Sequence, residues 1–406
     1  MTLALSDISL RRRAHWHTLA AAVIAVWVVT GLGLLLASAA GAPVTWWAIV
    51  HPFTLGALST AVIVYSTHFT EALTRTPAAS FGAVAARVAV LQVALILLLL
   101  GDAGPAWSWP ADIGAGLVIG VLAWHGVALW QRLRRSLAGS VVVTVPFYLV
   151  SAGFLVLAVV LAWSAGRGLG DYDRLIAAHS RATVWGFTWL TVLGTIISLL
   201  PTLTGAWISA VARARCARVL TVHSLGLFTA VALLATPRVG PPLAGLPLLL
   251  TVVAAVMLIQ PVLAQVLPGT RWRTAGFGVA AGTLWLVALA ATDAVLLLRG
   301  VDPRVGIRLL IPALLGAGLL QLVTSVLLHL LPILVGGGRA RVSRSRESAD
   351  QGGPARLVLI NLGGVATLLN GDVALAAGLI LLALGLLAQV IALLRAVTHQ
   401  YRKELP

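Results

Sequence analysis

Apolar residues run along this chain in long blocks, and most polar residues fall between the blocks. Runs of this length need about 20 residues at 1.5 Å each to cross a hydrocarbon core of about 30 Å. The pattern predicts twelve membrane helices, at roughly 18–40, 47–69, 81–101, 111–131, 141–164, 177–203, 217–236, 243–267, 275–299, 307–335, 355–370 and 373–397. Short connections rich in Gly, Pro and charge separate most of them, as turns require. The eleventh is the weakest: it holds Asn361, Gly363 and Gly364, and only Gly371 and Asp372 part it from the twelfth. The expected fold is an all-α integral membrane protein in one polytopic domain spanning 1–406.

Composition strengthens this reading. Of 406 residues, 60% are hydrophobic and 10% charged. The net charge of +16 would suit nucleic acid in a soluble protein, but its placement explains it differently. With the N-terminus in the cytoplasm, alternating helices put 21 of the 28 Lys and Arg on the cytoplasmic side and seven outside. That is the positive-inside bias. It predicts a multi-pass protein of a bacterial inner membrane, with both termini cytoplasmic and no nucleic-acid partner. The basic flank "LSDISLRRRAHWH" reads as the lead into a retained first helix, without a cleavable signal. Segment 337–354, rich in Gly, Arg and Ser, is expected to be a flexible basic cytoplasmic loop that anionic headgroups can hold. Cys216 stands alone, so neither an intrachain disulfide nor a Cys-rich metal site is expected.

A weak internal period is legible. "LGTIISLLPTLTG" (193–205) and "TSVLLHLLPILVG" (324–336) share Leu-Leu-Pro-x-Leu-x-Gly at an offset of 131. His51 and His179, each early in its helix, are 128 apart. Both offsets equal four helices, so helices two, six and ten are expected to correspond, in pseudo-repeats of about 1–135, 136–270 and 271–400.

Histidine inside a membrane span is costly and commonly faces a ligand, a partner or a cavity. The helix directions place His51 and His179 together near the outer face. His68, seventeen residues after His51, falls about 25 Å deeper. His125, His223 and His329 share that inner level. A bis-histidine haem needs one imidazole from each of two facing helices at one depth, so His51 and His179 are candidate cofactor ligands. The structural alternative is that each sits at the interface, bonded to a backbone carbonyl or a lipid headgroup. His68 with Glu71 at i+3, His223 and His329 are candidate metal ligands, against interfacial hydrogen bonding. Asp293 is expected to pair with Arg299 or Arg308, or else to take part in proton or cation movement.

Twelve helices in three arcs of four, with histidines on helices two and six, resemble the catalytic subunit of haem–copper oxidases. "HPFTLGALSTAVIVYSTHF" (51–69) resembles the NnrS family, haem- and copper-containing membrane proteins linked to nitric oxide. "HSRATVWGFTWLTVLGTIISLLPTLTG" and "LLQLVTSVLLHLLPILVGGG" are similar to the membrane region of actinobacterial proteins labelled copper oxidases. The resemblance implies haem b, copper or both, bound at His51 and His179. It implies electron transfer, nitric oxide handling or copper homeostasis, with a redox partner or a cupredoxin-type protein. It does not extend to the oxygen-reducing centre. The expected seventh helix has only His223, the tenth only His329, and the sixth lacks a His-Tyr pair. Neither complete terminal oxidase nor multicopper oxidase activity is expected, the latter because no cupredoxin domain follows residue 406. A secondary transporter without prosthetic group and a membrane anchor or assembly subunit are the alternatives.

Overall fold

A computed structural model describes residues 2–102, 108–137, 139, 141–268, 272–336 and 338–401, and among them there is helix but no strand. Thirteen helices follow in order: α1 (Thr2–Ala39), α2 (Trp46–Thr74), α3 (Phe81–Asp102), α4 (Trp109–Arg134), α5 (Val142–Gly166), α6 (Tyr172–Thr204), α7 (Ala210–Ala235), α8 (Pro241–Val266), α9 (Thr274–Leu298), α10 (Pro303–Val335), α11 (Arg339–Asp350), α12 (Gly353–Ala366) and α13 (Asp372–Tyr401). Eleven of them, α1 to α10 and α13, are long and apolar enough to cross a membrane. The protein is therefore an all-α, multi-pass membrane protein. On α8, Leu243, Leu246, Leu250, Val253 and Val256 are exposed at helical spacing, as a lipid-facing stripe should be. Exposed Trp109, Trp130, Trp163 and Trp207 stand at or near span ends, where indole suits the headgroup level.

Two expectations need correction. The eleventh predicted span, 355–370, is the helix α12, whose 14 residues reach only about 21 Å, short of a full crossing. The basic segment 337–354, expected as a flexible loop, contains the helix α11. Ser345, Ser348 and Ala349, at i, i+3 and i+4, form its buried face. Ser345 Oγ donates to the Ala396 carbonyl at 2.5 Å, and Arg273 pairs with Asp350 at 3.3 Å. Arg356 holds the end of α11: Nη2 donates to the Ala349 carbonyl at 2.6 Å and Nη1 to that of Gln351, while Nε meets Gln389 Oε1 at 3.0 Å. These bonds satisfy carbonyls that a helix C-terminus leaves open.

The chain forms two compact units. One comprises 1–61, 271–285 and 312–406; the other comprises 62–270 and 286–311. Of the expected repeat boundaries, 270 coincides with a unit boundary and 135 does not. In the first unit, α1 packs on the start of α2 and on the end of α10, and α13 packs on α10, α11 and α12. Trp285 Nε1 donates to Asn361 Oδ1 at 2.7 Å, and Asn361 Nδ2 to Gln321 Oε1 at 2.9 Å, fixing α9, α10 and α12 by amide bonds within apolar surroundings. In the second unit, α3 to α8 pack largely as successive neighbours, and α6 touches α5, α7 and α8.

The same interruption occurs in three spans. Residues Pro52–Leu58 of α2, Ala182–Thr188 of α6 and Leu314–Leu320 of α10 form π-helical turns, beginning 130 and 132 residues apart. A proline at 52 and another at 312 explain two of them, since each ring clashes with a preceding carbonyl and opens the ladder. Hydroxyls take up released carbonyls: Ser59 Oγ donates to Thr54 O at 3.1 Å, and Thr188 Oγ1 to Val184 O at 2.5 Å. Each turn carries a glycine, Gly56, Gly186 and Gly316, spaced 130 residues apart and so fifth, fifth and third in its turn. A Cβ there would meet Trp27, Phe154 and Leu382 respectively at 2.5–2.7 Å. These spans are also the most buried, at 67%, 83% and 72% of the apolar window, against 50% or less for the others.

Candidate functional site

His51 ends the first helical stretch of α2, immediately before its π turn. Its ring stacks on Trp47, one turn back, at 3.8 Å between centroids. Its Nδ1–H donates to the Trp47 carbonyl at 2.9 Å. His179 lies on α6, three residues before that π turn, and its Nδ1–H donates to the Ala158 carbonyl of α5 at 2.8 Å. A carbonyl can only accept, so each Nδ1 carries a proton, and a ring in its neutral form has its lone pair on Nε2. Metal-bound imidazoles are commonly oriented in this manner. One turn on from His179, the buried Thr183 Oγ1 lacks a hydrogen-bond partner. The two histidines do not share a register. Their spacing of 128 is two short of the 130 between the π turns, a difference of about 200° around a helix. Arg181, not His179, stands at the place of His51.

Arg181 anchors a constellation that the sequence left unread. Fully buried, its Nε and Nη2 reach the two oxygens of Asp293, on α9, at 3.1 and 2.6 Å. Asp293 is equally buried and also accepts Trp185 Nε1–H at 2.8 Å. Arg181 Nη1 donates to the Pro303 carbonyl at 2.7 Å. The expected partners of Asp293, Arg299 and Arg308, are thus replaced by an arginine 112 residues away. The candidate metal ligand His223, buried on α7, donates Nε2–H to the Trp185 carbonyl at 2.9 Å. That carbonyl belongs to the π turn, so His223 and Trp185 link the wide turn to α7 and to the ion pair.

The other candidate ligands are similarly engaged. Glu71 Oε1 accepts the Ala79 N–H at 2.6 Å and pairs with Arg132 Nη2 at 3.1 Å. His68, three residues earlier, lies in tilted ring contact with Phe69 at 6.0 Å. His329 Nε2 accepts from Arg346 Nη2 at 3.1 Å, since guanidinium can only donate. Burial and the neighbouring Arg273 hold the Arg346 guanidinium below its usual range, with Asp350 opposing. His125 lies between Arg87 Nη1, 2.8 Å from Nδ1, and Ser66 Oγ, 2.9 Å from Nε2. The arginine forces Nδ1 to accept, so His125 is neutral and donates from Nε2. Arg87 and Arg181, charged residues inside apolar runs, were the sequence signals for both clusters.

Among the described residues no group of three or more His, Cys, Asp or Glu side chains is arranged to hold a metal ion. A haem, whose macrocycle supplies four donors, needs only one or two imidazoles. The chain matches no family model, and no curated protein is significantly similar to it.

Proposed function

We propose that this is a membrane haem protein of the haem–copper oxidase-like class, built from three related four-helix arcs and lacking the dinuclear oxygen-reducing centre. His51, in the first unit, and His179, in the second, would each offer Nε2 as a haem ligand, and the group would supply one-electron chemistry or binding of a small gas such as nitric oxide. The observation carrying this reading is the pair of Nδ1–carbonyl bonds, which set the same tautomer in two spans beside two π turns. The residues do the rest: Trp47 fixes the plane of one ring, and the Ala158 carbonyl that of the other. Electrons would come from a redox partner such as a cupredoxin-type protein. The test is the haem content of protein made with ample haem, as pyridine haemochrome. His51→Gly and His179→Gly are expected to lose haem and regain it with added imidazole. Unchanged haem in both variants would remove these residues from the site.

A specific observation favours a second reading, secondary transport. The Arg181–Asp293 pair lies buried in a span with a broken helical ladder, as coupling sites in transporters do. On that reading the wild type has no visible spectrum, and Asp293→Asn abolishes ion-driven uptake in vesicles.

A further inference from the structure

Two arginines are deeply buried in the second unit, and their surroundings differ. Arg181 has a whole carboxylate to itself. Arg87, on α3 and only 2% exposed, has none: among the described residues no Asp or Glu is in ion-pair contact with it. Its Nε makes a long 3.3 Å bond to the Ala83 carbonyl, and its Nη1 meets neutral His125. Trp124 lies 5.9 Å below it, which offers polarisable density but no countercharge. Arg132 and Glu71 are both within electrostatic reach, and Glu71 is already spent on Arg132. Two guanidiniums and one carboxylate leave a single positive charge in excess within a partly buried cluster, and Arg87 is its buried member. A buried charge without a counter-ion is among the costliest arrangements a fold can keep.

Donors without partners stand on the helices that carry Glu71 and Arg132. Thr70 is fully buried on α2, between Ser66 and Glu71, and its Oγ1 lacks a hydrogen-bond partner. A helical threonine ordinarily bonds the carbonyl four residues back, as Thr67 and Thr74 do. Arg132 Nε is buried and unpaired as well. The cluster lies toward the end where α2 and α4 finish and α3 begins, with Glu71 bonded to the connecting loop at Ala79. Arg87 doubles back toward that end to reach Ala83. Span ends stand at the headgroup level, where lipid phosphates and soluble anions are both present.

We propose that Arg87, Arg132 and Thr70 form a binding site for a phosphate group. Guanidinium forks match phosphate oxygens, and a hydroxyl supplies a further donor. Glu71 limits the affinity by competing for Arg132, and His125 positions Arg87. The phosphate belongs either to an anionic phospholipid headgroup or to a free phosphate. Both sources offer the same chemistry.

Whole protein in zwitterionic detergent provides the test. Native mass spectrometry after adding phosphatidylglycerol reads the lipid source. Thermal melts in inorganic phosphate, against chloride at equal ionic strength, read the free one. Binding in either arm is expected to weaken about tenfold or more in Arg87→Gln and to tighten several-fold in Glu71→Gln, which adds one positive charge. A cluster serving structure alone gives no anion-dependent stabilisation and no tightening. Should Arg87→Gln fail to fold, Arg87→Lys keeps the charge without the fork and is expected to bind more weakly. Absence of binding in both arms overturns the proposal, as does binding indifferent to Glu71→Gln.

Discussion

Asp293 accepts three hydrogen bonds from two side chains, and both partners of its ion pair are fully buried. Removing the carboxylate leaves Arg181 charged in an apolar interior. Asp293→Ala should cost about 3–5 kcal/mol, read as a fall in the detergent melting temperature. Replacing the pair together with apolar residues should cost much less, because the desolvation penalty leaves with it. Gly186 makes a second prediction. A side chain there would enter the Phe154 ring, so Gly186→Val should lose about 1–3 kcal/mol in the same assay. Individual residues were partly legible in the sequence. Buried histidines stood out because imidazole is rare in lipid-facing runs, and their carbonyl partners were among the alternatives weighed. Asp293 was visible as an intramembrane acid, but its partner was not. Sequence proximity favoured Arg299 and Arg308, whereas packing brings the buried Arg181 against α9.

At the scale of the element, the spans were readable and their interruptions were not. Length and hydropathy decide whether a helix crosses lipid, and these are sums over many residues that survive local error. A π turn depends on where a proline ring strikes a carbonyl and which hydroxyl takes the released group, and no periodicity reports that. Helix α11 escaped for a related reason. Its Arg and Ser composition reads as solvated coil, yet three small buried positions and the Arg356 cap dock it on α13. Arg356→Ala should therefore free the end of α11. Hydrogen exchange or limited proteolysis is expected to rise by tenfold or more across 339–350 while the spans stay protected. No change there would mean that Ser345 and Asp350 hold the helix alone.

For the molecule as a whole, three spans carry the same wide turn, the same glycine notch and the deepest burial, near a period of 130 residues. The short Leu-Leu-Pro match has an offset of 131, close to that period, although its prolines, Pro201 and Pro332, lie beyond the π turns. The histidine pair was a poorer guide, two residues out of register. The charge bias carries its own prediction: cysteine introduced at Arg339 should react with an impermeant maleimide only from the cytoplasmic side, and one at Trp109 only from outside. Reaction from the opposite faces would invert the topology. The central claim, haem ligation by His51 and by His179, is tested most directly by the absorption spectrum of the purified protein, oxidised and then reduced with dithionite. A Soret band that shifts on reduction, and that is lost in His51→Ala and His179→Ala, is the expected result. A flat visible spectrum from protein made with ample haem would contradict it.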